Sequence, residues 1–108
     1  MAYDERLAER IRGAAPDGEL TERRMFGGLC FLLDGHMLCG VVSDDLMLRL
    51  GPEAAEHALE RPHVRPMDFT GRPSRGMVYV APAGLRGRAL GAWLVKAEAF
   101  VRTLPPRR

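Results

Sequence analysis

The stretch MFGGLCFLLDGHMLCGVV, residues 25–42, constrains the fold more than any other part of the chain, because Gly27-Gly28 and Asp34-Gly35 divide it into short apolar segments. Two-residue Gly-Gly and Asp-Gly breaks between apolar runs predict hairpins, since type I′ and II′ turns need positive φ where glycine costs least. Gly27, Gly28, Asp34 and Gly35 are therefore assigned as structural turns. Ser43-Asp44-Asp45 makes a third turn, after which Leu46, Leu48 and Leu50 alternate with Met47 and Arg49. The result is an antiparallel meander of four strands.

Helical periodicity brackets the meander. Tyr3, Leu7, Ile11 and Ala14 recur at helical spacing, predicting an amphipathic helix over 3–14 that Gly13 and Pro16 end. GPEAAEHALERP carries Pro52 where a first-turn proline is tolerated and Pro62 just past its end, the pattern of a short helix. PMDFTGRPSRGMVYVAP predicts a short strand near 67–70, a loop over 71–76 and a strand over 77–81. Leu90, Trp93, Leu94, Ala97, Phe100, Val101 and Leu104 then form one apolar stripe of a long helix, stopped by Pro105-Pro106. Helix, meander, short helix, hairpin and long helix make an α+β fold with helices packed on a sheet.

A chain of 108 residues, 46% apolar and 28% charged, is one domain spanning 1–108 with a single core. Its longest apolar run, Leu29 to Leu33, is far short of the ~20 residues needed to span a bilayer, and no signal-peptide core follows the charged start. A cytoplasmic protein with no membrane partner is expected. The net charge of +2 is too small to announce a dedicated nucleic-acid binder.

Several constellations invite a chemical reading. If Asp34-Gly35 closes a flush hairpin, Leu33 faces His36, Leu32 faces Met37, Phe31 faces Leu38 and Cys30 faces Cys39. The two cysteines then form a cross-strand thiol pair with Cα atoms about 4.5 Å apart, at the short end of the disulfide range. A reducing cytoplasm keeps such thiols free, and without a Cys-x-x-Cys spacing a redox sensor is the least favoured reading. A metal site lacks its ligands: His36 points away from Cys39 on an unbroken strand, while His57 and His63 lie on or beyond the short helix. Gly27-Gly28 fits neither phosphate-loop pattern, the adjacent Asp44 and Asp45 point apart on a turn, and no nucleophile has a base. No enzyme, catalytic residue, metal or cofactor is expected.

The remaining constellation is RPHVRPMDFTGRPSRG. Arg65, Arg72 and Arg75, with Arg61, gather around prolines and Phe69 as a candidate interaction loop able to clamp carboxylate or phosphate. Used on phosphates, it would make the chain a weak nucleic-acid binder. Both faces of the Leu29–Val42 hairpin are apolar, with Cys30, Leu32, Met37, Cys39 and Val41 on one and Leu29, Phe31, Leu33, Leu38 and Val42 on the other. A sheet in water needs one such face, so helices cover both or a second copy or partner covers one; a homodimer is the favoured expectation.

RRMFGG, FLLDGHMLCGV, LMLRLGPE, PHVRPMDFTGRP, RGMVYV and a final helix ending in LPP together resemble the N-terminal domain of the TfoX/Sxy family, bacterial regulators linked to natural competence. The resemblance spans nearly the whole chain. It implies a helix, antiparallel sheet and helix fold similar to the type III secretion chaperone class, and no enzymatic activity. Full-length members carry a second, C-terminal domain and act with the cyclic-AMP receptor protein in transcription activation. The implied function is a non-enzymatic regulatory or adaptor domain working through protein–protein interaction, with such a regulator as partner.

Overall fold

The computed structural model describes residues 3–14, 20–25, 27–67 and 75–105. Helix α1 (Glu5–Gly13) starts where the Asp4 carboxylate accepts from the backbone N–H of Arg6 (2.9 Å) and Leu7 (3.3 Å), satisfying two N-terminal donors. Asp4 N–H also donates to Ser43 C=O at 2.7 Å, tying the helix start to the sheet. Strands β1 (Leu20–Met25), β2 (Gly28–Leu33), β3 (His36–Val42) and β4 (Asp45–Arg49) form the meander. Helix α2 (Pro52–Ala58), strands β5 (Val64–Pro66) and β6 (Met77–Val80), and helix α3 (Ala89–Val101) follow, with a single 3₁₀ turn over Pro82–Gly84.

All pairings in the six-stranded sheet are antiparallel, in the order β1-β2-β3-β4-β6-β5. β6 docks on β4 and β5 becomes an edge. The strand expected near 67–70 falls on residues of which 68–70 lie outside the described residues; the strand that pairs with β6 is β5, which follows Pro62 and ends in Pro66.

The turns show why the glycines sit where they do. Asp34 (φ 53°) and Gly35 (φ 83°) both adopt the left-handed region between β2 and β3, as a type I′ turn requires. Between β1 and β2 the work is divided. Gly27 carries the positive φ (73°), whereas Gly28 is the first residue of β2, where any Cβ would run into the Val41 carbonyl. Gly27-Gly28 is thus not a turn dipeptide: Met25 pairs with Gly28 and the connection lies before it.

The sheet has two apolar faces and the three helices share one. Leu7 and Ile11 of α1, Ala55 and Ala58 of α2, and Leu90, Trp93, Leu94, Ala97 and Val101 of α3 pack with Leu29, Phe31, Leu33, Leu46, Leu48, Val78 and Val80. α3 crosses β3 and β4. The second face is a separate cluster of Cys30, Leu32, Met47, Met67 and Tyr79, rimmed by Met25, Met37, Val42 and Met77. Five of the six methionines therefore lie on the face without helices. Met67, just beyond β5, folds onto this layer and is 3% exposed, while Cys30 and Met47 are fully buried within a single chain. Two-sided apolarity alone thus does not demand a second copy.

Candidate functional site

The two cysteines do not meet. β2 and β3 begin in the flush register, Leu33 opposite His36 and Leu32 opposite Met37, but the next pairs are Phe31 with Cys39 and Cys30 with Gly40. Leu38 is left over as a β-bulge, which turns every later residue of β3 to the other side. Cys39 and Val41 join the helix-bearing face, and Val42 joins Cys30 on the other. The expected Cys30–Cys39 pairing is corrected accordingly. Both thiols are free and buried. Burial pushes the Cys30 thiol up to about 11 and raises Cys39 further still, the latter also through the nearby Cys30. Neither is poised as a nucleophile at neutral pH.

One cross-sheet row organises the second face. Arg23, Cys30, Gly40, Met47, Tyr79 and Arg65 stand opposite one another on the six strands in sheet order, apolar in the middle and arginine at each edge. Gly40 makes the middle possible. A Cβ there would sit 3.0 Å from the Met47 methyl and 3.1 Å from Cys30 Sγ, so these side chains lean together over the glycine.

The candidate interaction loop is only partly a set of exposed cations. Arg65 on β5 lies over the Tyr79 ring, 4.7 Å from its centroid, and donates to the Asp45 carboxylate at 2.6 Å. That hydrogen bond raises the Arg65 pKa, and the side chain serves to close the sheet edge. Arg75 is exposed, and Arg72 lies outside the described residues. Arg61 stacks on Trp93 at 4.4 Å, and Trp93 Nε1 donates to Gly84 C=O at 3.3 Å. Arg61 and Trp93 join elements distant along the chain, which left no cue to their contact in the sequence, whereas Arg65 meets Tyr79 because β5 pairs with β6 in that register.

Among the described residues, no group of three or more His, Cys, Asp or Glu side chains is placed to hold a metal ion. His36 faces the chain's C-terminal end, with Nε2 2.5 Å from Pro105 C=O. Shallow grooves mark the described surface. One apolar groove, about 410 Å³, lies between Gly51, Pro52, His57 and Phe100, where the Phe100 ring presses against Gly51. No described helix is long and apolar enough to cross a membrane.

Comparison with known proteins finds no match among curated proteins or solved structures. A family model described as the TfoX N-terminal domain matches residues 13–100, from the end of α1 through most of α3 and so across the whole sheet. On that match, the chain belongs to the TfoX N-terminal domain family.

Proposed function

We propose that the chain is a non-enzymatic regulatory or adaptor domain that acts through protein–protein contact, in transcription regulation related to competence. Its family membership across residues 13–100 carries this reading. The described interior contains no buried polar or charged residue, and burial keeps both thiols protonated. What such a scaffold offers a partner is shape and surface charge. The partner class is a transcription regulator such as the cyclic-AMP receptor protein. Nucleic-acid binding through the arginine loop is the competing reading, and the engagement of Arg65 by Asp45 and Tyr79 weighs against it.

Biosensor titration of the immobilised chain with a purified bacterial cyclic-AMP receptor protein, with and without cyclic AMP, tests the partner. Saturable binding is expected. A gel-shift series on duplex DNA from low to moderate salt separates the competing reading: a steeply salt-dependent shift lost in an Arg65→Ala/Arg75→Ala variant would replace the adaptor function with DNA binding.

A further inference from the structure

The two edges of the sheet are built differently. β5 is three residues long and ends in Pro66. β1 is six residues long, contains no proline and pairs with β2 without irregularity, and the side chains of Thr21, Glu22, Arg23 and Arg24 are all exposed. Met25 and Gly28 flank a two-residue connection, so they form a hydrogen-bonded pair. Alternation from there turns the N–H and C=O groups of Thr21, Arg23 and Met25 toward β2. Those of Leu20, Glu22 and Arg24 face the edge, which no strand among the described residues covers. Side-chain direction alternates as well. Glu22, opposite Phe31, is on the helix-bearing face and receives two hydrogen bonds from Arg12 of α1 (2.7 and 2.8 Å); Arg23, opposite Cys30, is on the other.

We propose that this edge is a self-complementary interface on which a second copy of the chain adds its own β1, antiparallel, about a two-fold axis at Arg23. Sheet continuity allows only registers in which residues of one face meet residues of that face. Centring the axis on Glu22 sets Glu22 against its own copy, and centring it on Arg24 does the same to Arg24. Centring it on Arg23 sets Glu22 of each copy against Arg24 of the other, twice, with opposite charges side by side. These are the residues whose backbone groups face outward, so each pair exchanges two N–H···O=C bonds. Arg23 meets its copy across the axis on the opposite face, so this register sets one like-charge pair against two opposite-charge pairs, whereas the other two registers hold a like-charge pair and no opposite-charge pair. This interface does not depend on the adaptor reading.

Sedimentation of the full chain tests the register. The wild type is expected to approach twice the 12.0 kDa chain mass at high protein concentration and to dissociate as salt is raised. Glu22→Arg and Arg24→Glu each place like charges at both pairs, so each variant is expected to remain monomeric while keeping the wild-type circular dichroism spectrum. An equimolar mixture of the two variants, and the Glu22→Arg/Arg24→Glu double variant, restore complementary pairs and are expected to dimerise. A wild type monomeric at every concentration overturns the proposal. So does a dimer indifferent to the single substitutions, or single variants that neither mixing nor the double change restores.

Discussion

Cys30 and Cys39 lie on opposite sides of the sheet, each buried in a different apolar layer. With Cys30 raised to about 11, its thiolate fraction at pH 8 is on the order of one in a thousand, and Cys39 is lower still. Native protein is expected to leave both thiols unmodified by a chromogenic disulfide reagent at pH 8 and to release both in denaturant. Rapid stoichiometric labelling of the native state, or a disulfide after mild peroxide with the fold intact, would contradict this placement.

Those thiols also set a stability trend at high pH. In the unfolded chain Cys30 loses its proton near its ordinary value of 9.0, whereas in the fold it holds it to about 11. The unfolded state therefore binds fewer protons above pH 9, and the stability contribution present below that pH is lost as pH rises through the folded value. Melting temperature is expected to decline more steeply between pH 9 and 11 in the wild type than in Cys30→Ala. Parallel pH profiles would assign the decline to other groups.

Two glycines should respond to alanine in opposite directions. At Gly28 the added methyl would occupy the space of the Val41 carbonyl, so Gly28→Ala forces β2 and β3 apart and is expected to cost several kcal/mol. At Gly91, inside α3, a Cβ meets nothing within 4 Å, and Gly91→Ala is expected to add about 0.5–1 kcal/mol through helix propensity. Urea denaturation of the pair reads both signs in one experiment.

Trp93, 3% exposed, anchors α3 with its ring in the core and its N–H on Gly84 C=O. Trp93→Ala is expected to cost about 3–5 kcal/mol, much of the stability of a small domain. Arg61→Ala, which removes only the stacked guanidinium, should cost about 0.5–1 kcal/mol. A thermal melt in which the two variants behave alike would show that the cation, rather than the buried ring, dominates this contact.

Elements with a polar side to contradict a wrong reading were legible in the sequence. Of the stripe Leu90, Trp93, Leu94, Ala97, Phe100, Val101 and Leu104 that marked α3, five residues are buried, Phe100 is half-buried, and Leu104 lies half-buried beyond the helix end at Val101. Asp34-Gly35 marked a turn in which both residues have positive φ. The bulge at Leu38 left no trace, because β3 is apolar on both faces and a one-residue slip moves no polar side chain into the core. Cys39 was therefore assigned to the wrong layer. β5 escaped for a different reason: it pairs along only three residues next to a proline, and its position is fixed by Tyr79 and Val80 of β6 rather than by its own pattern.

The contrast between a long β1 and a short, proline-ended β5 bears on how far any strand-to-strand growth can run. In the proposed pair, two copies joined at β1 would consume both open templates and turn only stunted margins outward, where Pro66 withholds a donor and Arg65 is clasped by Asp45. Polymerisation then has no propagating end. In the proposed pair that same asymmetry stops the ribbon at twelve strands, two sheets of six, a safeguard against fibres written into the lengths of two marginal segments.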